Sequence, residues 1–501
     1  MLLDFRHYKI FAFMKKAIVV GAGVAGLAAS IRLAIKGYRV QVFEQNSYPG
    51  GKLSSFSLKG YRFDAGPSLF TMPHFITELF ELAGESSEQH FEYSKKEVAC
   101  TYFWQDGTQF TAHSNKAQFL KQAHQTFNES EENIERYFKR AKKKYELTAS
   151  LFLEKSLHKF QTFLSVDTLK ALFQLRTFEL QKSLHQANSD TFSSFHFIQL
   201  LDRYATYNGS DPYQTSGMMT LIQHLESAYG TFVPKKGMVS ITDALYGLAK
   251  RLGVEFAFEN SVEEIVVESA QVKGVKTKTA FFEADFVISN MDVFHTYKKL
   301  LPYVKPPLKR LQQERSSSAV IFYWGIARQF ENLDLHNIFF SEDYQREFEA
   351  IFKEHTVSDD PTIYVNITSK DVPNDAPEGC ENWFVMINTP AQHGQDWDQL
   401  VDRLRTIVVQ KLSDRLGVAL QEFIVCEEVL TPPLIESKTQ SYMGALYGAS
   451  SNDMMAAFLR HPNFSNRIKN LYFCGGSVHP GGGIPLCLLS AKIVDDLIPK
   501  V

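Results

Sequence analysis

Cysteine is scarce in this chain: there are five in 501 residues, at Cys100, Cys380, Cys426, Cys474 and Cys487. An odd, scattered set builds no disulfide framework and fits a reducing, cytoplasmic setting. No Cys/His cluster has metal-ligand spacing, so no metal is expected. An excess of one charge is also lacking. A net charge of −3 from 53 basic and 56 acidic residues gives no basic field for nucleic acid. No run approaches about 20 uninterrupted apolar residues, so no transmembrane helix is expected. Residues 1–13 lack the continuous apolar core of a secretory signal and carry Asp4, Arg6 and Lys9 instead, so they read as an extension, or as a start misplaced ahead of Met14. Internal repeats and low-complexity tracts are absent as well. What remains is an ordinary globular composition, 44 % hydrophobic, long enough for two or three domains.

What is present is glycine in patterned groups at both ends: Gly21-Ala-Gly-Val-Ala-Gly26 and Gly475-Gly-Ser-Val-His-Pro-Gly-Gly-Gly-Ile-Pro485. The first follows a short apolar strand, Ala17–Val20, and opens a helix over Leu27–Ile35. Gly21 allows the tight turn, Gly23 lets backbone N–H groups approach a diphosphate, and Gly26 brings helix close to strand; the anion then rests on the positive helix end. A second strand, Tyr38–Phe43, runs into Glu44, 23 residues after Gly21, where a carboxylate can accept hydrogen bonds from ribose hydroxyls. A lone glycine turn is often purely structural, but strand, helix and acid in register point to a dinucleotide. The two glycine groups read as one cofactor site of an α/β flavoprotein.

The first α/β segment runs to about Ser68. Within the helical sequence that follows, Ile134, Phe138, Ala141 and Tyr145 fall at helical spacing, Glu135 and Lys139 form a possible surface pair, and the basic run Lys139 to Lys144 reads as one solvated face, with attraction to anionic lipid as the alternative. From Phe152 to Phe197 there are eight phenylalanines and neither glycine nor proline. Helices there have more apolar surface than one face needs, for an aromatic-rich core, a cavity lining or membrane contact. After Pro234-Lys-Lys-Gly-Met238 comes an amphipathic helix, Ser240–Leu252. The alternating stretch Ser261–Val275 would bring Val262 toward an adenine, and Asp285–Asn290 reads as a strand ending at the nucleotide. Strand-like runs Ala319–Gly325, Thr362–Ile367 and Trp383–Asn388, with a helix Trp397–Leu416, read as a sheet-based substrate domain.

These residues resemble the carotenoid desaturases of the bacterial phytoene desaturase type, within the flavin amine oxidase superfamily. The resemblance rests on Gly21 to Leu27, Pro49-Gly-Gly-Lys52, Phe63-Asp-Ala-Gly-Pro-Ser-Leu69, Asp285 to Asp292, Asp375-Ala-Pro-Glu-Gly379 and His479-Pro-Gly-Gly-Gly-Ile-Pro485, and it covers nearly all of the chain after Met14. It implies a Rossmann-like FAD-binding domain of the glutathione-reductase and amine-oxidase type (14–70, 234–295 and 465–501), a sheet-based substrate domain (71–115 and 296–464) and a helical, aromatic-rich insertion (116–233) able to touch a membrane. FAD is the implied cofactor. Glu44 is placed on the adenosine ribose, Lys52 and Gly476 near the phosphates, Val262 and Asn290 at the adenine half, Ser68 and Leu69 on the flavin side, and Gly483 and Ile484 toward the isoalloxazine carbonyls. Gly21, Gly23, Val24, Gly26, Gly51 and Gly475 complete the set.

The chain also departs from the pattern. Lys52 stands where arginine is commoner, which keeps the charge and loses a bidentate contact, and Lys236 replaces one of two glycines. Where phytoene desaturases tend to have alanine and, after the proline, glycine, this chain has Gly482 and Leu486. That resembles the desaturases acting at the 3,4 bond of carotenoids hydroxylated at the neighbouring end, and would put both residues near the flavin ring.

The resemblance implies removal of a hydride and a proton from an allylic C–C bond, with the flavin carrying the chemistry and a long apolar carotenoid held in a dry tunnel. His479, inside the flavin motif, is a candidate for contact with flavin or substrate, against a hydrogen-bonding structural role. Arg203 and Tyr207 are candidates for aiding proton loss or binding a terminal hydroxyl, against a salt-bridged, packed helix. A phytoene desaturase, a flavin-dependent carotenoid isomerase or saturase, and a non-catalytic prenyl-binding escort protein stay open beside the 3,4-desaturase. Because the substrate resides in lipid, the protein is expected at the inner face of the membrane, attached peripherally through the aromatic insertion.

Overall fold

The structure is a computed structural model that describes residues 15–149, 153, 155–156, 158–159, 174–453 and 460–501. The N-terminal extension and most of the Phe-rich stretch from Phe152 to Phe173 lie outside the described residues.

Five parallel strands form the first sheet in the order Leu471–Phe473, Phe286–Ser289, Lys16–Val20, Arg39–Phe43, Glu255–Ala257. Its central strands are near-continuous apolar runs because both faces are covered, as parallel sheets require. Ala17, Val19, Val40, Val42 and Ile288 face the helices Val24–Ile35, Val239–Arg251 and Ile484–Leu497. Ile18, Val20, Phe43 and Val287 alternate with them and face the antiparallel strands Val262–Glu268, Gln271–Thr277 and Phe281–Glu283. Chain segments more than 400 residues apart therefore share one sheet, and the two glycine groups leave strands that flank Phe286–Ser289, which ends at Asn290 between them.

A second sheet of seven strands runs Ile424–Leu430, Ser318–Ile326, Glu381–Thr389, Ile363–Asn366, His336–Phe339, Val98–Phe103, Gln109–His113. All neighbours are antiparallel except His336–Phe339 with Val98–Phe103. One face buries Val320, Phe322, Trp324, Trp383 and Val385 against the helix Trp397–Leu416, which starts at the Asp396 cap and stops at left-handed Gly417. The hairpin Ser55–Leu58 and Tyr61–Asp64 packs on the other face through Phe63 and Tyr323.

The helices Lys116–Phe127, Glu131–Thr148, Phe195–Asp202 and Leu221–Tyr229 pack around Tyr102, Trp104 and Phe110 at the sheet's far edge. Ile134, Phe138 and Ala141 are buried as their spacing predicts, and Glu135 meets Lys139 at 3.6 Å. The basic run is not one solvated face, however. Lys144 is 1 % exposed and donates to the Gly217 carbonyl at 2.8 Å and the Thr220 hydroxyl at 2.7 Å, besides pairing with Glu179. It falls on the same helix face as Ala141 and Thr148, and its charge is compensated inside the fold.

Candidate active site

A cavity of about 1010 Å³ runs between the two sheets, at the upper end of the range for small-molecule sites. At one end it meets the carboxyl ends of the parallel strands, where open α/β sheets bind their ligands. Gly21, Gly23, Val24, Glu44, Gly51, Lys52, Val262, Asn290, Gly475 and Gly476 line this end. The helix Val24–Ile35 begins at Gly23 and the helix Ile484–Leu497 at Gly483; neither has a side-chain cap or an acid in its first turn. Two positive helix ends are thus left for an anion. Glu44 closes the turn by accepting from the amides of Ala22 at 2.8 Å and Asn46 at 2.9 Å. Asn290 holds the two glycine groups together. A Cβ on Gly23 would lie 2.6 Å from its Oδ1, a Cβ on Gly475 2.6 Å from its Nδ2, and that nitrogen donates to the Cys474 carbonyl at 3.1 Å.

Lys52 is the cation of this end. It donates to the Leu446 carbonyl at 2.9 Å, and its pKa is lowered by burial against the opposing pull of Cys487 and Asp292. Gly26 is the exception among the glycines: it does not line the cavity. A Cβ there would sit 2.1 Å from the Gly21 carbonyl oxygen, so its work is the close approach of helix to strand.

The cavity continues past Ser68, Leu69, Gly483 and Ile484 to the free face of the seven-stranded sheet, where Ile321, Ile338, Phe384 and Met386 form an apolar wall. Polar groups are few there. Tyr364 hydroxyl lies 2.8 Å from Ser68 Oγ and 2.7 Å from His336 Nδ1. Arg203 and Tyr207 also line the cavity, joined by Glu226. Glu226 accepts from the Tyr204 hydroxyl at 2.8 Å, from the Tyr207 hydroxyl, and from Arg203 at 3.5 Å. Burial works against the Arg203 charge, yet Tyr102, Tyr207, Glu226 and Tyr204 outweigh it and hold the guanidinium protonated.

His479 does not line the cavity. It is 2 % exposed, its Nε2 lies 3.1 Å from the Lys155 carbonyl, and burial, helped by His158, takes its pKa down to about 4. The chain turns at Pro480, so Gly482 and Gly483 line the cavity while His479 is sealed behind them. Leu486 likewise points elsewhere: its neighbours Pro485 and Cys487 line the cavity, and it does not. Sequence reasoning missed Glu226, His336, Tyr364 and Tyr447. Glu226 alone left a trace, as an acid on the inward face of the amphipathic helix Leu221–Tyr229.

The family of flavin containing amine oxidoreductases matches residues 24–494, and the chain belongs to it. It is an FAD-dependent oxidoreductase. Over 487 residues it is 54 % identical to the 1-hydroxycarotenoid 3,4-desaturase of Flavobacterium sp. (strain P99-3), covering 97 % of this chain and 99 % of that one. The 4,4'-diapolycopene oxygenase of Methylomonas sp is 34 % identical over 499 residues, covering 97 % and 98 %. Among solved structures, an oxidoreductase from Methanosarcina mazei shares the fold with a TM-score of 0.63 at 15 % identity, covering 96 % of this chain and all of that one. The residues present fit FAD: two uncapped helix ends and Lys52 suit a diphosphate, and a carboxylate stands where ribose hydroxyls need an acceptor.

Proposed function

We propose that this protein desaturates the 3,4 bond of carotenoids hydroxylated at C1. One observation carries the reading: 54 % identity, spread over almost the full length of both chains, to a protein with that activity. The continuous cavity supports it, since a dinucleotide end opens directly onto a long apolar wall. When bound, FAD would supply the two-electron oxidant for loss of a hydride and a proton from adjacent carbons, which leaves a double bond between them.

The chain's own residues do the rest. Glu44 would receive the ribose, and Lys52 with the amides following Gly23 and Gly476 would hold the phosphates. Val262 and Asn290 flank the adenine half. Ser68, Leu69, Gly483 and Ile484 would border the isoalloxazine, where backbone N–H groups would oppose developing negative charge. Ile321, Ile338, Phe384 and Met386 bind the polyene at about 25 cal/mol per Å² buried and keep water from the reacting bond.

The substrate dissolves in lipid, and no described helix is long and apolar enough to cross a membrane. We place the enzyme at the membrane surface. Phe195 in the helical insertion is 57 % exposed, and Tyr303 (90 %) and Leu308 (49 %) stand out among Lys298, Lys299, Lys305 and Lys309, a mix of apolar and basic groups suited to anionic headgroups.

One experiment tests both points. FAD-loaded protein in anionic liposomes receives phytoene or a 1-hydroxylated acyclic carotenoid. The expected product comes from the hydroxylated substrate alone, two hydrogens lighter and red-shifted, and the protein floats with the vesicles at low salt. Successive desaturation of phytoene would move it to another step, and protein left in the aqueous layer at every salt concentration would remove the membrane assignment.

A further inference from the structure

His336 opens the strand His336–Phe339 on the cavity face of the seven-stranded sheet. It is 3 % exposed and lines the cavity, and its Nε2 has no hydrogen-bond partner among the described residues. Its Nδ1 has two neighbours, the Tyr364 hydroxyl at 2.7 Å and Asn366 Nδ2 at 3.2 Å. Asn366 Nδ2 also donates to the Leu335 carbonyl at 2.9 Å, which fixes the amide with its nitrogen toward the ring. Nδ1 therefore accepts, and in the neutral imidazole the proton resides on Nε2. Burial and the Lys96 charge, with a smaller push from Arg203 and against Asp334, take the pKa down to about 3, so the ring stays neutral at working pH.

The result is a buried N–H donor with no acceptor among the described residues, on a ring that lines the cavity, an arrangement that disfavours the protein alone and rewards a ligand oxygen. Its position is also informative. The Tyr364 hydroxyl that contacts His336 Nδ1 lies 2.8 Å from Ser68 Oγ, so the imidazole ring is two hydrogen bonds away from the residue that would border the flavin. In a 1-hydroxylated carotenoid the oxygen is borne by a carbon two positions from C3, and an anchor for it must lie close beside the oxidant. Arg203 Nε is also without a partner. However, its guanidinium is enclosed by the rings of Tyr102, Tyr204 and Tyr207 at 4.7 to 5.2 Å.

We propose that His336 Nε2–H donates to the C1 hydroxyl oxygen of the substrate and is the specificity-determining residue that sets the 3,4 bond against the flavin, with Tyr364 and Asn366 orienting the ring. This rests on the function proposed above.

The test compares FAD-loaded wild type, His336→Phe and His336→Gln on a 1-hydroxylated carotenoid and on the same skeleton without the hydroxyl, with flavin content and melting temperature measured alongside. His336→Phe is expected to lose about tenfold or more in kcat/KM on the hydroxylated substrate and nothing on the other, collapsing their ratio. His336→Gln, which keeps an N–H donor, is expected to recover part of the ratio. Should the Phe variant fail to load FAD, His336→Met carries the same comparison. An unchanged ratio in the Phe or Met variant, or equal losses on both substrates, overturns the assignment of His336 while leaving the proposed function standing. Wild type that desaturates neither substrate overturns the proposed function, and this assignment with it.

Discussion

Arg203→Met is expected to destabilise the protein by about 3–5 kcal/mol, the cost of leaving one member of a buried ion pair without the other. Arg203 and Glu226 are 8 % and 9 % exposed at the side chain, and the guanidinium also lies over three tyrosine rings. Removing the cation leaves Glu226 buried with, among the described residues, only the hydroxyls of Tyr204 and Tyr207 as donors. The double variant Arg203→Met with Glu226→Gln removes the stranded charge and is expected to recover more than half of the loss. Thermal or denaturant unfolding of the FAD-loaded forms measures both. A single variant as stable as wild type would show that the pair does not hold this end of the cavity together. A double variant that is stable yet inactive would assign the pair to turnover as well as to folding.

The second large effect is expected from Gly482→Ala. A Cβ there would lie 2.8 Å from Tyr447 Cα and 2.9 Å from its Cβ, so backbone as well as side chain must move. That segment has little freedom. The Tyr447 amide donates to Ser316 Oγ at 3.0 Å, the Tyr447 carbonyl accepts from Arg460 at 3.0 Å, and the Leu446 carbonyl accepts from Lys52 at 2.9 Å. Overpacking of this kind costs about 1–3 kcal/mol, and here it displaces the partner of Lys52. At least a tenfold fall in activity with weaker FAD retention is expected, measured by turnover and by flavin content after gel filtration. Leu486→Ala, at the other departure from the phytoene desaturase pattern, lies outside the cavity and is expected to keep turnover within about twofold of wild type. The substitution at 482 thus has a steric reason in this chain, the close passage of Tyr447, which a motif comparison does not reveal.

The parts legible in the sequence are those whose signals are local. Strand, turn and helix at 17–35 are contiguous, and the structure shows the strand over Lys16–Val20 and the helix starting at Val24, three residues earlier than expected. The helix Trp397–Leu416 matches its expected bounds because Asp396 and Gly417 mark both ends. Of the eleven positions expected at the dinucleotide end, ten line one cavity; the eleventh, Gly26, lies against the Gly21 carbonyl instead.

The substrate end was less legible because it depends on register between distant strands. Ser68, His336 and Tyr364 meet only because His336–Phe339 pairs with Ile363–Asn366 so that His336 lies opposite Asn366. A one-residue slip would turn His336 to the other face. His479 illustrates the converse: membership in a cofactor motif does not settle which way a side chain points, and the turn after it buries the ring behind the cavity wall.

One cavity would bring the carotenoid and FAD together, so that two electrons pass directly from substrate to flavin. The most direct test is an anaerobic single turnover of FAD-loaded enzyme with a 1-hydroxylated carotenoid, analysed by product mass. The expected result is one product per flavin, two hydrogens lighter than the substrate and formed without oxygen. A product that appears only when oxygen is admitted and is heavier by an oxygen atom would contradict it, and would align the chain with its oxygenase relative.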